Sequence, residues 1–345
     1  MENTGIIFKE QELDYVAGAI PYEVICADWT SYLPSDEMQI GLYFDTMACV
    51  TFSATNVVET QMNFMFMQGV FSLEACVFFE AGGWLINGKF NFSDRFTAKM
   101  SNTTKDGNYL QAVWDSIKHH GLLPEADWAY PRRQRTPVFD WDDYYKEIPQ
   151  DLKDKALKIL DYIDVAYEWT VRNQLTPYTN NEILELKREL KQAPLQLAAS
   201  TCKWGGDVIL ACGKTTASHA TMIYKIDDYI YDFDSYDPYR KKLAMDYLLL
   251  WVLKGVITLK NNPIIKNDMR YVKNVMGEQY LLDEQLMLKL NIGDNIEREA
   301  LVKRGLVNQP EVVTNEYLEA FESYALVRKS RMATQIGIIR DLQGL

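Results

Sequence analysis

A long helix that begins at a cysteine is the sequence feature that most constrains the fold. From Cys49 onward, apolar side chains recur at the three- and four-residue spacing of one helix face. These apolar positions are Val50, Ala54, Val57, Val58, Met62 and Met65. Polar side chains fall largely on the other side, at Thr51, Thr55, Asn56, Glu59 and Asn63. A helix that runs to about Gln68 is roughly 30 Å long and crosses a small domain. The pattern therefore predicts an amphipathic helix at the centre of the fold.

The position of Cys49 in the first turn of this helix bears on its chemistry. Unpaired backbone N–H groups and the helix dipole favour an anion there. A thiolate is the nucleophilic form of cysteine, and helix N-termini lower thiol pKa values. The alternative is that Cys49 is a small buried apolar residue, as most free cysteines are. The helix alone leaves both interpretations open, and the residue that bears on the choice is His219.

His219 begins a strand-like segment that a tight turn joins to a second strand-like segment. With a two-residue turn at 227–228, position 219 lies opposite 236 and position 221 lies opposite 234. His219, Asp234 and Tyr236 then share one face of the hairpin, with Asp234 as the diagonal neighbour of His219. A turn centred one residue earlier makes His219 and Asp234 directly opposite, and a three-residue turn presents Ser235 instead. The alternative for His219 is an ordinary strand histidine with satisfied hydrogen bonds.

Composition excludes several classes of function. The 345 residues carry a net charge of −12 with a pI near 4.9, which argues against general binding to nucleic-acid backbones. Five cysteines and three histidines show no zinc-site spacing, so no metal or other cofactor is expected. An odd number of scattered cysteines favours a reducing, cytoplasmic compartment without structural disulfides. No signal peptide and no bilayer-spanning apolar run are recognised, so no membrane partner is expected.

The order of predicted elements indicates an α+β fold, because helices dominate the first half and strands the later part. Four regions are predicted: a lead-in at 1–27, a helical lobe at 28–131, a β-rich lobe at 132–260 and a helical C-terminal extension at 261–345. Helices are predicted at 49–68, 108–119, 151–162 and 181–192, and in the extension at 281–290, 296–304 and 316–328. Strands are predicted at 165–171, 195–199, 208–211, 220–225 and 229–233.

Several motifs, in order along residues 22–255, resemble those of the papain-like cysteine peptidases. Asp28-Trp29 looks like the start of the mature family domain, and Gln39 resembles its oxyanion-hole glutamine. ACVTFSATNVVE resembles the helix that carries the family's nucleophile. DGNYLQAVWDSIKHHGLLPEADWAYP resembles the family's glycine, helix and Tyr-Pro stretch. Ser218-His219-Ala220 matches the catalytic histidine strand, and Asp234-Ser235-Tyr236 falls where the family has Asn-Ser-Trp.

The chain departs from the family pattern at defined positions. Four extra residues separate Gln39 from Cys49. Val50 replaces the tryptophan after the nucleophile, Thr46 replaces a disulfide cysteine, and Asp234 replaces asparagine. Secreted members carry a long inhibitory prosegment, whereas 27 residues precede Asp28-Trp29 here. The combination is similar to papain-like proteins encoded by bacteriophages.

The resemblance implies a papain-like two-lobe fold, with a helical lobe, an antiparallel β-barrel-like lobe and the helical C-terminal extension. It implies that Cys49 is the nucleophile, that His219 is its acid–base partner and that Asp234 orients the histidine ring. The Cys49 N–H and the Gln39 amide are then expected to stabilise the oxyanion. The expected activity is hydrolysis of peptide bonds in a polypeptide substrate, without a cofactor.

Two further residues and one further function remain open. Gly107 is expected to let the substrate backbone approach closely, with a simple turn glycine as the alternative. Tyr236 is expected to shield the contact between His219 and Asp234 from water, with core packing as the alternative. The alternative function is an inactive papain-like structural component of a phage particle, because fold alone does not give function. Docking to virion proteins through the C-terminal helices is expected in either case.

Overall fold

The computed structural model describes residues 26–40, 44–71, 73–129, 140–200, 208–210 and 216–260. It also describes the backbone of four strands between residues 270 and 313. The chain divides into two compact units. The first consists of Met1–Met67 with Gly82–Lys260, and the second of Gln68–Ala81 with Asn261–Leu345. The predicted boundary at 131/132 lies outside the described residues.

The described helices of the first unit include the four predicted from apolar spacing and two short ones, at 94–100 and 141–144, that the spacing did not predict. They are α1 (Cys49–Met67), α3 (Asp94–Met100), α4 (Leu110–His120), α5 (Trp141–Tyr144), α6 (Gln150–Leu157) and α7 (Asn180–Leu190), and α2 (Leu73–Ala81) belongs to the second unit. Local sequence signals explain the C-terminal end of α4 and the N-terminal end of α7. Gly121 ends α4 with a positive φ of 71°, and a side chain at that position would meet the Ala156 carbonyl oxygen at 2.0 Å. Thr179 and Glu182 form a capping box that starts α7.

A six-stranded antiparallel sheet packs against α1, α4 and α7 of the first unit. After a short hairpin of β1 (Leu85–Ile86) and β2 (Lys89–Phe90), the sheet is built from β3 (Ile163–Val171), β4 (Leu195–Ala199), β5 (His219–Ile226), β6 (Ile230–Phe233), β7 (Arg240–Leu243) and β8 (Leu249–Leu259). The strand order is β3-β8-β4-β5-β6-β7. The mixture of helices and antiparallel sheet confirms the predicted α+β class. The strand predicted at 208–211 is wrong for its described part, where Ile209 makes only an isolated bridge to Leu243.

The hairpin of β5 and β6 resolves the register that the sequence left open. Near the turn, Lys225 pairs with Tyr231 and Ile226 with Ile230, so the turn contains three residues. A bulge between Ile223 and Lys225 then shifts the register, and Ile223 pairs with Asp232. Continued along the strands, this register places 219 opposite 236 and 221 opposite 234. Beyond the bulge, the hairpin therefore has the register that a two-residue turn predicts, although the turn has three residues.

Helix α1 is buried on all sides, so the prediction of an amphipathic helix is wrong. Several of its buried polar side chains are satisfied by hydrogen bonds to neighbouring segments. Glu59 accepts the Phe92 N–H at 2.6 Å, and Asn63 accepts the Phe90 N–H at 2.8 Å. Gln61 bonds both the Gly255 carbonyl and the Ile257 N–H, at 3.0 and 3.1 Å. These bonds connect the central helix to the hairpin on one side and to the sheet on the other.

The second unit contains a four-stranded sheet of order β11-β10-β9-β12. The strands are β9 (Arg270–Asn274), β10 (Gln279–Asp283), β11 (Leu286–Leu290) and β12 (Glu311–Val313). The helix predicted at 281–290 is therefore wrong. Leucines at 286, 288 and 290 alternate with period two, as strands require, and Asp283 pairs with Leu286. The helices predicted at 296–304 and 316–328 lie outside the described residues.

Among the helices that the structure describes, none combines the length and the apolar character that a bilayer span requires.

Candidate active site

Cys49 is the first residue of α1, and hydrogen bonds fix this end of the helix. The Ala48 carbonyl accepts the first helical bonds, from the Thr51 and Phe52 N–H groups at 2.8 and 3.0 Å. As the first helical residue, Cys49 has an N–H group without an acceptor inside the helix. Its side chain is 1% exposed. Cys49 therefore has the predicted position at a helix N-terminus.

A buried glutamine connects the start of α1 to the sheet. Gln196 on β4 donates from its amide nitrogen to the Val50 carbonyl at 2.9 Å and to the Ser53 hydroxyl at 2.8 Å. Its amide oxygen accepts the Trp114 indole N–H at 2.8 Å. An apolar side chain at this position would remove all three of these buried hydrogen bonds, which is costly in a protein interior. Gln196 thus links the first turn of α1, which contains Cys49, to strand β4.

The loop before the helix has a left-handed residue that an acidic side chain supports. Met47 has a φ of 56°, which is uncommon for a residue with a side chain. The Asp45 carboxylate accepts the Met47 N–H at 2.8 Å. Tyr145 donates its hydroxyl to the Thr46 carbonyl at 2.7 Å. These contacts hold the backbone that leads into Cys49.

His219 and Asp234 meet at the end of the hairpin, as the diagonal register requires. The His219 Nε2 atom lies 2.6 Å from Asp234 Oδ1. Both side chains are buried, with exposures of 6% and 0%. The other ring nitrogen, Nδ1, is thereby left for a second partner. The sequence prediction that Asp234 lies within reach of the imidazole agrees with this geometry.

The pKa of His219 depends on Cys49 as well as on Asp234. Burial lowers the pKa of the His219 imidazole, whereas the charge and hydrogen bond of Asp234 and the hydrogen bond and charge of Cys49 raise it, to about 10. Burial raises the pKa of Asp234, but His219 and Lys241 outweigh it and hold that pKa below its ordinary value. At neutral pH the imidazole is therefore protonated and the carboxylate is ionised. The structure brings Cys49, His219 and Asp234 together as one chain of contacts.

Tyr236 lies against the histidine ring and also donates a hydrogen bond. The ring centroids of Tyr236 and His219 are 5.0 Å apart, at an interplanar angle of 52°. The Tyr236 hydroxyl donates to Asp45 Oδ2. Tyr236 therefore covers one side of His219 and links it to the loop before Cys49. Burial, followed by the Asp45 hydrogen bond, raises the pKa of its phenol.

Gln39 lies beside the site with its amide engaged by protein groups. Its Nε2 atom donates to Asp45 Oδ1 at 2.8 Å and to the Tyr236 hydroxyl at 2.7 Å. Its Oε1 atom accepts the Ser235 hydroxyl at 2.8 Å. A side-chain amide has two N–H donors, so both are used in this arrangement. The oxyanion role predicted for Gln39 therefore requires that Asp45 or Tyr236 release one of them.

Gly107 lies in a tight turn that explains why glycine is needed there. Its φ is 96°, and its N–H and carbonyl both bond the Thr104 backbone, at 2.9 and 3.0 Å. A side chain would be strained at this φ. The turn alternative is thus sufficient to explain the glycine, and the role of Gly107 in binding substrate stays a prediction.

For three residues of this site, the sequence predicted no role. Lys241 donates to Asp234 Oδ2 at 2.6 Å, Ser235 bonds Gln39, and Asp45 joins Gln39 to Tyr236. The signal for Lys241 was the alternation in Arg240–Leu243, where a lysine shares a face with an apolar leucine. Ser235 was identified only as a member of the Asp234-Ser235-Tyr236 motif and as the alternative for a three-residue turn, and Asp45 carried no signal. Within the described residues, no cluster of acidic, histidine and cysteine side chains is arranged to hold a metal ion.

Cys26, Cys49 and Cys76 form no disulfide, and Cys202 and Cys212 lie outside the described residues.

The structure is similar to several solved structures at low sequence identity. It matches digestive procathepsin L 3 of Tenebrio molitor with a TM-score of 0.45 and 15% identity, over 74% of this chain and 76% of that one. Bromelain protease of Ananas comosus matches with a TM-score of 0.42 and 14% identity, over 66% and 97%. Xylellain, a cysteine protease from Xylella fastidiosa, matches with a TM-score of 0.47 and 14% identity, over 75% and 96%. No protein-family model matches the chain, and no curated protein sequence matches it.

Proposed function

We propose that this protein is a cysteine peptidase that hydrolyses peptide bonds through an acyl-enzyme intermediate. The observation that supports it is the buried chain of contacts from Cys49 through His219 to Asp234, with 2.6 Å between His219 Nε2 and Asp234 Oδ1. A nucleophile, a base and a residue that orients the base are the parts that such a mechanism needs.

The chemical steps follow from these three side chains. The Cys49 thiolate attacks the peptide carbonyl carbon and forms a C–S bond, and the C–N bond then breaks as His219 gives its proton to the leaving amine. Water next attacks the thioester, with His219 as the base that takes the water proton. Hydrolysis of the C–S bond releases the acid and returns Cys49 to its starting form.

The developing oxyanion needs hydrogen-bond donors at the helix start. The Cys49 N–H is one, because it has no acceptor inside α1. The Gln39 amide is the second, provided that substrate binding breaks one of its bonds to Asp45 or Tyr236. Tyr236 shields the His219–Asp234 contact, and Gly107 is retained as a candidate contact for the substrate backbone.

Hydrolysis of an unfolded polypeptide tests this proposal. New amino termini are counted with wild-type protein and with Cys49→Ser and His219→Gln. We expect both variants to lose at least about a thousandfold in rate. Cys26→Ser is the matched control, because Cys26 is a free thiol whose side chain bonds the Asp28 carbonyl, and it should retain activity. Equal rates for wild type and Cys49→Ser would refute the mechanism.

A second candidate function is a non-catalytic structural component, for instance of a phage particle in a reducing host cytoplasm. The observation that favours it is burial, because Cys49 is 1% and His219 5% exposed. The Gln39 amide also favours this second function, because protein groups use both of its N–H donors. The discriminating outcome is a folded protein that hydrolyses no polypeptide and co-purifies with assembled particles. Docking to virion proteins through residues 261–345 is proposed with either function.

A further inference from the structure

The Asp234 carboxylate is held by two cations, one on each oxygen. Oδ1 faces the His219 Nε2 atom and Oδ2 faces the Lys241 Nζ atom, each at 2.6 Å. Lys241 also donates to the Tyr236 carbonyl at 2.8 Å. The side chains of Lys241 and Asp234 are 6% and 0% exposed, so the ion pair is shielded from solvent. A buried lysine is rare in proteins unless it is paired.

The strand β7 determines which lysine enters the site. Its side chains alternate, so that Arg240 and Lys242 are exposed whereas Lys241 and Leu243 are buried. Lys241 pairs directly with Asp232 on β6, which places it diagonally across from Asp234. The neighbour Lys242 carries the same charge on the other face of the strand. A substitution of Lys242 is therefore a matched control for the same substitution of Lys241.

We propose that Lys241 is a positioning residue, a fixed counter-ion that keeps Asp234 ionised and aimed at His219 whether the imidazole is protonated or neutral. This inference rests on the proposed function. During acyl transfer, His219 gives its proton to the leaving amine and loses its charge. Without Lys241, Asp234 would then be a buried carboxylate without a cationic partner, a costly state in a protein interior.

Lys241 also acts on the acidity of His219. Its ammonium and the imidazolium bond the two oxygens of one carboxylate, so the two cations are roughly 5 Å apart and repel each other. The other charged or titratable groups that face the ring are Cys49, Tyr236 and Asp232. Removal of the lysine charge should therefore raise the pKa of His219, because the imidazolium loses a repelling neighbour.

The titration of His219 measured by NMR tests the proposal. The chain has three histidines, so the His219 ring signals can be assigned by single substitution. In a Cys49→Ala background, where no thiolate contributes, Lys241→Met should raise the His219 pKa by about one pH unit. Lys241→Arg should leave it nearly unchanged, and Lys242→Met should have no effect. The same pKa in the Lys241→Met and Lys242→Met proteins would overturn the proposal.

A second measurement keeps the test decisive. If Lys241→Met does not fold, Lys241→Gln is titrated instead, because it retains hydrogen bonding without the charge. In the presence of Cys49, Lys241→Met should reduce hydrolysis by about tenfold through kcat with little change in KM, and Lys241→Arg should restore it. A wild-type protein without hydrolysis would refute the proposed function, whereas the NMR titration still decides whether Lys241 sets the charge state of this pair.

Discussion

Asp232 provides a stability test of the charge arrangement beneath the site. Its side chain is buried on β6, directly opposite Lys241 in the strand register. Burial, then the charge of Asp234, raises its pKa to about 7, while the nearby Thr221 hydroxyl and Lys241 partly offset the increase. Replacement by asparagine keeps the shape and removes the ionisable group.

The expected magnitude follows from that shift. A rise from 3.8 to about 7 corresponds to about 4 kcal/mol, since one pKa unit is worth about 1.4 kcal/mol. Because the folded-state pKa lies above the unfolded-state value, the stabilisation is fully present below about pH 3.8 and is lost as the pH rises through about 7. From pH 5 to pH 8, the free energy of unfolding of the wild-type protein should fall by about 3 kcal/mol relative to that of Asp232→Asn.

Urea denaturation at the two pH values measures this difference. The free energy of unfolding of Asp232→Asn should exceed that of wild type by about 3 kcal/mol more at pH 8 than at pH 5. Asp228→Asn is the control, because Asp228 is exposed on the turn of the same hairpin. A difference between Asp232→Asn and wild type that is the same at both pH values would refute the assignment of a raised pKa to Asp232.

Three further substitutions test the packing and the site. Gly255→Ala should destabilise the fold by about 2–3 kcal/mol in urea denaturation, because the new Cβ meets the Trp114 ring at 2.0 Å. Gln196→Leu should cost about 2–3 kcal/mol and slow hydrolysis, because the Val50 carbonyl and the Trp114 indole lose buried partners. Asp234→Asn should cost about 3 kcal/mol by removing the carboxylate that pairs with Lys241, and it should lower the pKa of His219, which the pH profile of hydrolysis measures. Unchanged stability in any of the three would contradict the contact described for it.

The site illustrates which features sequence periodicity can and cannot predict. The face shared by His219, Asp234 and Tyr236 follows from alternation, but the register depends on turn length and on any bulge. The actual turn has three residues, which alone would have presented Ser235. The bulge next to Ile223 restores the predicted face. A bulge depends on how two strands pack, and no single-strand pattern encodes it.

Polar contacts between residues that are distant in sequence are the second feature that periodicity did not predict. Periodicity located α1 almost to the residue, yet its polar positions are buried because Phe90, Phe92 and the sheet supply partners that are distant in sequence. Lys241 belongs to a basic strand that resembles a solvated edge. Its position beside Asp234 follows only from the pairing of β7 with β6. In the extension, the leucines of residues 281–290 fit both a helical and an alternating pattern, and cross-strand pairing decided in favour of strands.

The reactivity of Cys49 toward iodoacetamide as a function of pH tests the central claim most directly. If Cys49 and His219 form a thiolate–imidazolium pair, the Cys49 alkylation rate should stay nearly constant between about pH 7.5 and pH 5.5, and His219→Gln should abolish that plateau. At about pH 5.5, Cys49 should react at least about a hundredfold faster than Cys26 in the same molecule. An alkylation rate of Cys49 that falls about tenfold per pH unit in both proteins, as for an ordinary thiol, would contradict the claim.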